Sequence, residues 1–407
     1  MKKRKVAVFT GNRAEYGLQF PILKAISNHP GLEYQLIVSG AHLDANFGRT
    51  REEITRDGFE IATEVIIEMA SDTALATPQA IGSGIVNISQ ALAILKPDLM
   101  VVYADRFEGF AAVIAATQMN IPTAHIEGGD ITEGGALDDS VRHAMTKLSH
   151  LHFTTNDEAT RRIIAMGEEP WRVHTVGFPA IDLITAGSFA SPQEITEKLN
   201  LDLTKPIVLF TQHSVTTEAG DAASQIKPCL DALLKLANDG VQIIATYPNN
   251  DAGGRAIIAE LEKVALMKPE NFQLHKSLGR FMYHGILALS KNIEHRIACL
   301  GNSSSGIKET PIFGTPTVNI GSRQLGRLRG RNVKDANYSV NEIYESARIC
   351  LFDDVWRAEC AKTDNPYWKG GAGIRIADVL STVELNQPLL RKRMTIGGSG
   401  AIRLAHE

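Results

Sequence analysis

The run Asp98-Leu99-Met100-Val101-Val102-Tyr103, continuing into Ala104-Asp105-Arg106, decides the fold of this chain. Its apolar residues do not alternate with polar ones, so it fits a strand covered on both faces rather than one with a wet side. A helical pattern over 108–119 follows, then a second short strand pattern over 122–126. Strand, helix and strand at that spacing form a βαβ unit, in which the two strands lie parallel. Working outward, the same periodicity predicts strands over 5–10, 32–39, 59–67, 151–155 and 173–176. Helices are predicted between them over 16–28, 78–95, 138–148 and 158–166.

The rhythm restarts after a polar interval, 185–205, where Gly187, Ser188, Ser191 and Pro192 read as a linker with a short helix. Beyond it, strands are predicted over 206–210, 241–246, 272–274, 297–300 and 317–320. The accompanying helices are expected over 226–237, 255–267, 281–289, 307–313 and 342–351. The expected fold class is therefore α/β, with two Rossmann-like doubly wound domains over 1–185 and 200–380 and a tail over 381–407. The tail carries Arg391-Lys392-Arg393 and then Gly397-Gly398-Ser399-Gly400, which reads as a frayed end from Pro388 onward.

Composition bounds the function classes. The 407 residues carry 42 Lys+Arg against 46 Asp+Glu, a formal net charge of −4, with 44% apolar residues. That is rich enough for two buried cores and too balanced for a protein that lives on phosphate contacts to nucleic acid. No apolar stretch approaches the ~18 residues of a transmembrane helix. The basic start Met1-Lys2-Lys3-Arg4-Lys5 is followed by too short an apolar run for a signal peptide. Cys229, Cys299, Cys350 and Cys360 form no CxxC pair and no disulfide framework. The expectation is a cytoplasmic protein.

In open α/β sheets ligands sit beyond the carboxyl ends of the strands, which shortens the search for chemistry. After the first strand comes Gly11-Asn12-Arg13-Ala14-Glu15-Tyr16, a glycine turn with a cation opening a helix. It is neither GxGxxG nor a P-loop, so neither NAD nor ATP is indicated. Asp105-Arg106 ends one strand, Glu127-Gly128-Gly129-Asp130 the next, and Asp138-Asp139-Ser140-Val141-Arg142-His143 opens a helix. Each acid alone reads equally well as a helix cap or an ion-pair partner. Three converging acids raise one another's pKa and supply a base or acid near neutrality. In the second half, His213 follows a strand, as does the Asx-rich turn at Asn249. Gly301-Asn302-Ser303-Ser304-Ser305-Gly306-Ile307-Lys308-Glu309 joins strand to helix through a Gly/Ser loop, a phosphate seat or simply a loop. Arg323, Arg327, Arg329, Arg331 and Lys334 lie in an acid-free stretch, 322–334, that reads as a clamp on a diphosphate. His150 and His152 share a strand face without a third ligand at metal spacing, so no metal is expected.

Taken in order, these motifs resemble the UDP-N-acetylglucosamine 2-epimerase family, in its hydrolysing, sialic- and legionaminic-acid branch. The resemblance runs from Lys5 to about Leu380 and rests on Gly-Asn-Arg-Ala-Glu-Tyr at 11–16, Asp-Arg-Phe at 105–107 and His-Ile-Glu-Gly-Gly at 125–129. It is completed by Asp-Asp-Ser-Val-Arg-His at 138–143, Gly-Asn-Ser-Ser at 301–304, Phe-Gly-Thr-Pro at 313–316 and Arg323-Gln324. It implies the glycosyltransferase-B arrangement, with an interdomain active-site cleft and a C-terminal helix returning to the first domain. It further implies conversion of a UDP-2-acetamido sugar and water, through a 2-acetamidoglycal, to the free manno-configured sugar and UDP.

Carried over by motif, Asp105, Glu127, Asp138 and His213 form the acid/base group. Arg13 would stabilise the leaving diphosphate and Arg142 orient the acids or bind the sugar. Ser303 and Ser304 would hold phosphate, Glu309 the ribose hydroxyls and Arg323 the nucleotide, with Arg106 and Asn249 completing the substrate-binding set. No cofactor is implied; the partners are the UDP-sugar and UDP, in a homodimer or homotetramer, with neither nucleic acid nor membrane. The segment from Glu127 to Asp138 is longer than in the sialic-acid epimerases it resembles, which keeps UDP-N,N'-diacetylbacillosamine open beside UDP-N-acetylglucosamine as substrate. The alternatives are a non-hydrolysing epimerase, against which the Arg13-Ala14-Glu15-Tyr16 turn speaks, a glycosyltransferase, and a non-catalytic nucleotide-sugar sensor.

Overall fold

Alternation within each strand shows why both faces of the first sheet are dry. In a computed structural model, Val6 and Val8 of strand β1 (Arg4–Thr10) enter one apolar layer, while Ala7 and Phe9 enter the other. Strand β4 (Leu99–Tyr103) does the same, with Leu99, Val101 and Tyr103 on one side and Met100 and Val102 on the other. The structure describes residues 3–43, 50–67, 75–132, 137–249 and 253–395, with only the backbone at 13, 14 and 216.

The remaining strands of this sheet are β2 (Leu32–Ser39), β3 (Ile61–Val65), β5 (Thr123–Ile126), β6 (Leu151–Thr154) and β7 (Val173–Thr175). Their order is β3-β2-β1-β4-β5-β6-β7, and each neighbouring pair is parallel. The second sheet contains β8 (Ile207–Thr211), β9 (Gln242–Thr246), β10 (Phe272–His275), β11 (Ile297–Gly301), β12 (Thr317–Ile320) and β13 (Val333–Ala336). It runs β10-β9-β8-β11-β12-β13, again parallel throughout. Both sheets are thus doubly wound, with strand order reversing between β1 and β4 and between β8 and β11.

The chain divides into two compact units. The first comprises Met1–Asp130, Asp138–Asp182 and Tyr367–Glu407; the second comprises Ile131–Leu137 and Leu183–Pro366. The expected division differs at its C-terminal edge, because 367–380 belong with the first unit. The cause is the helix Ala372–Thr382, whose Ala372, Ile376, Ala377 and Leu380 join the apolar layer of β1 and of the helix Arg13–Asn28. Asp182 caps that helix, its carboxylate accepting from the Ala372 and Gly373 amides at 3.0 and 2.8 Å. A Cβ on Gly373 would come within 2.6 Å of the Pro21 carbonyl oxygen, so only glycine permits this packing.

The tail also departs from the expectation as far as residue 395. A short helix, Gln387–Leu390, starts at Asn386, whose side chain accepts the Leu389 amide. The buried Arg172 guanidinium donates to the Pro388 and Leu389 carbonyls at 2.7 Å each. The Lys392 ammonium donates to the Lys147 and Ser149 carbonyls and pairs with Glu168 at 2.8 Å. Burial alone would raise the Glu168 carboxyl, but His152, Lys392 and Lys147 together hold it down near 2. The residues 397–400 quoted above lie outside the described residues.

Two further elements differ from the sequence reading. Strand β13 was not expected, because Val333-Lys334-Asp335-Ala336 is a short, mostly polar edge strand with no apolar run to signal it. The single helix expected over 307–313 is two four-residue helices, Ser305–Lys308 and Thr310–Phe313, meeting at Glu309. Pro311 explains the break, since it has no amide with which to continue the first helix.

Candidate active site

In the first unit, β1 and β4 end side by side at the switch point. Asn12 caps the helix Arg13–Asn28, its side chain accepting the Glu15 amide at 3.0 Å. This places Arg13 at the first helical position; its side chain lies outside the described residues. At the end of β4, Ala104 adopts a left-handed backbone with φ 51°, and at the end of the neighbouring β5 Glu127 does so with φ 65°. Each such non-glycine residue costs of order 1–3 kcal/mol, and such strain concentrates where a side chain must be aimed.

The aimed residue after Ala104 is Asp105. Its carboxylate pairs with Arg142, which the helix Leu137–Leu148 supplies and which is itself buried. Arg142 also donates to Asp139 at 2.5 Å and to the Asp130 carbonyl at 2.9 Å. One guanidinium therefore ties together a strand-end acid, a helix-start acid and the loop after β5. Sequence spacing puts Arg142 on one helix face with Asp138, four residues earlier; the structure shows an ion pair with Asp139, three residues earlier. Asp139 was thus underweighted, although a buried acid beside Arg142 was visible in the same motif. Asp138 is partly exposed in the first helical turn, and Glu127 is buried at the end of β5. The Arg106 guanidinium lies 3.4 Å from Glu108 and over the Phe107 ring.

A second acidic feature escaped the sequence reading. Glu15 and Glu108 are both buried beside the turn at Gly11. Glu15 accepts from the Gly11 amide at 3.2 Å and from Gln19 at 2.8 Å. Burial and the Glu108 carboxylate push the Glu15 carboxyl up to about 8. Its signal was present as an acid three residues past an N-cap, which ordinarily marks nothing more than a capping box.

In the second unit the equivalent switch point is built differently. Gly301 closes β11 with φ 120°, where a Cβ would collide with the Thr211 carbonyl of β8. The fully buried Asn302 follows and clamps the two strand ends: its side chain accepts the His213 amide at 2.7 Å and donates to the His213 carbonyl at 2.9 Å. The Asn249 amide donates to His213 Nδ1 at 3.0 Å, so the neutral ring carries its proton on Nε2. Burial and the nearby Arg323 hold His213 down near 3. Arg323 itself donates to the Asn302 carbonyl at 3.3 Å. His213, Asn249, Asn302 and Arg323 therefore form one group, in which Asn302 was the residue missed.

Ser303 and Ser304 are partly exposed on the turn after Asn302, and Ser303 Oγ accepts from Ser305 Oγ at 3.1 Å. Glu309 lies at the helix break and accepts from the buried His284 Nε2 at 3.0 Å. The basic stretch is mostly committed elsewhere. Arg327 holds the Ile131 carbonyl and the Thr132 hydroxyl, Arg329 pairs with Asp335, and Lys334 sits 4.4 Å from the Trp356 ring centroid. Asp335, just past the acid-free stretch, supplies the counter-charge to Arg329, while Arg323 lies near His213. His150 and His152 are likewise engaged within the first unit, His150 Nδ1 with the Thr123 amide and His152 Nε2 with Glu168.

Two parallel doubly wound sheets, each carrying polar groups at its switch point, define an α/β fold of the glycosyltransferase-B-like class. Solved structures share this fold: a UDP-GlcNAc 2-epimerase from Neisseria meningitidis bound to UDP-GlcNAc superposes with a TM-score of 0.75 at 18% identity, covering 92% of this chain and 99% of that one. One from Methanocaldococcus jannaschii in complex with UDP-GlcNAc and UDP gives 0.72 at 17% identity, covering 93% and 100%. The chain belongs to the UDP-N-acetylglucosamine 2-epimerase family, whose model matches residues 24–381. It is 34% identical to a GDP/UDP-N,N'-diacetylbacillosamine 2-epimerase (hydrolyzing) of Campylobacter jejuni, over 83% of this chain and 85% of the relative. It is 33% identical to a UDP-N,N'-diacetylbacillosamine 2-epimerase (hydrolyzing) of Legionella pneumophila, over 96% and 98%.

Proposed function

We propose that this chain is a hydrolysing 2-epimerase that acts on a UDP-2-acetamido sugar, UDP-N,N'-diacetylbacillosamine or UDP-N-acetylglucosamine. The observation that carries the proposal is the Asp105–Arg142–Asp139 group with the buried Glu127 at the end of the neighbouring strand, carboxylates of the kind that proton transfer at a sugar carbon requires. The hydrolysing relatives, matched over most of their length, support the same reaction and favour the diacetylated substrate.

The chemistry proceeds in two balanced steps. A carboxylate takes the C2 proton as the C1–O bond to UDP breaks; the C–H electron pair becomes the C1=C2 bond of a 2-acetamidoglycal and UDP leaves as the anion. Water then adds its hydroxyl to C1 while a proton reaches C2 from the opposite face, which inverts C2 and yields the free manno sugar. Asp105, Glu127 and Asp138 supply the acid and base groups in this reading. Arg142 orients Asp105 through their ion pair. His213, neutral with Nε2–H as its donor, acts as a hydrogen-bond donor to an oxygen of the substrate rather than as a cation. Arg13 meets the leaving diphosphate, Ser303 and Ser304 the phosphates, Glu309 the ribose and Arg323 the nucleotide, with Arg106 and Asn249 as further contacts.

Incubation with each UDP-sugar in deuterated water tests the reading. Released UDP together with deuterium at C2 of a free manno sugar is the expected result. Deuterium in a sugar still attached to UDP would assign a non-hydrolysing epimerase instead, and binding without turnover would assign a sensor.

A further inference from the structure

His125, in the middle of β5, touches none of the groups just given a chemical role, yet it joins two of the elements that carry them. It is completely buried. Its Nε2 lies 2.7 Å from the Ala104 carbonyl oxygen and its Nδ1 3.1 Å from the Thr146 hydroxyl. A carbonyl can only accept, so the ring proton is on Nε2 and Nδ1 accepts the threonine O–H. Burial holds the ring near 3, so it stays neutral. Ala104 is the strained residue immediately before Asp105. Its amide still bonds to the Ile126 carbonyl in the sheet, whereas its own carbonyl is turned to the His125 ring. Thr146 lies on the helix Leu137–Leu148 that bears Asp138, Asp139 and Arg142. Gly128 completes the arrangement: a Cβ there would lie 2.8 Å from the Thr146 hydroxyl and 2.9 Å from His125 Nδ1.

We propose that His125 is a positioning residue, which locks the left-handed turn at Ala104 and thereby fixes the Asp105 carboxylate against the helix that carries Arg142. The role rests on the reaction proposed above only for its kinetic consequence. Without the ring the Ala104 carbonyl is left buried and unbonded, and the turn relaxes. Asp105 then leaves its productive placement, while Ser303, Ser304, Glu309 and Arg323, assigned to UDP on the other sheet, are untouched.

Three variants test this: His125→Phe, which fills the space but cannot donate; His125→Gln, whose amide can donate to Ala104; and Thr146→Val. Two readouts are taken on the full chain. Hydrogen exchange by mass spectrometry over peptides spanning 101–108 should accelerate about tenfold or more in His125→Phe, with peptides of β8 unchanged. In His125→Gln it should return close to wild type. In turnover, His125→Phe should lose about 10- to 100-fold in kcat with KM within about twofold. The Gln variant should recover most of that loss and Thr146→Val should fall between. Unchanged exchange in His125→Phe, or a kcat loss that glutamine does not relieve, overturns the proposal. If wild-type protein turns over neither UDP-sugar, the functional reading fails and the exchange result alone decides the role of His125.

Discussion

The two sheets share a strand order at their centres and differ in what they place at the point where that order reverses. At β1 and β4 the chain gathers ionisable groups: Asp105, Asp139, Arg142, and the buried pair Glu15 and Glu108. At β8 and β11 it places neutral donors and acceptors: His213 with its proton on Nε2, Asn302, the serine hydroxyls, and a single arginine beside them. Topology alone therefore fixes where a ligand can sit, and side chains decide which half of the chemistry each sheet performs. In the proposed reading, the carboxylates that exchange protons lie on the first sheet, with Arg13 beside them for the diphosphate, and the second sheet holds the rest of the nucleotide.

The sharpest way to break that division is Asp105→Asn. It should lower kcat by about 10³-fold while leaving KM for the UDP-sugar close to wild type, read by UDP release. A comparable fall in affinity instead of rate would erase the contrast between the sheets. Arg142→Met should come next, since it leaves Asp105 and the buried Asp139 without their shared cation. A loss of about 3–5 kcal/mol in denaturant unfolding is expected, with activity below detection.

Glu15→Gln probes the charged sheet in the opposite direction. The folded chain keeps the Glu15 proton up to about pH 8, whereas an unperturbed glutamate releases it near 4.5. The contribution of Glu15 to stability is therefore full below about pH 4.5 and is lost as pH rises from 4.5 to 8. The glutamine variant, which cannot ionise, should be more stable than wild type by about 1–3 kcal/mol above pH 8 and indistinguishable near pH 4. Thermal melts across that range decide it. The smallest effect belongs to the second sheet: Ser303→Ala with Ser304→Ala should raise KM about tenfold with kcat within about threefold. A kcat collapse there would mean that the serines take part in the chemical step.

How much of this was legible beforehand follows from the kind of signal each feature leaves. The central strands could be read because burial on both faces forces uninterrupted apolar runs such as Leu99 to Tyr103. Strand β13 could not, because an edge strand buries little and Val333-Lys334-Asp335-Ala336 carries no such run. Among the candidate residues, Asp105, Glu127 and His213 were picked out from the expectation that they follow a strand, and the structure places each of them just after one. Asn302 was quoted within a motif but given no role, since nothing in its sequence context reveals that its amide spans two strand ends. Arg327 and Arg329 were assigned to a ligand because a local charge count cannot see partners such as Ile131 and Asp335, which the fold brings in from the next strand and from a distant loop.

The first unit is interrupted in sequence, and this has a consequence for its synthesis. Its last strand, β7, is made roughly 190 residues before Tyr367, where the unit resumes. At ribosomal rates of about 5–20 residues per second, that interval lasts on the order of 10–40 s. Throughout it, the face of Val6, Val8, Ile22, Leu23 and Ile26 waits for Ala372, Ile376 and Leu380 to cover it, while the second unit's 183–366 can complete its own sheet. The nascent chain thus presents an apolar surface at its leading end throughout that interval, the stretch most exposed to misassembly when translation is slowed.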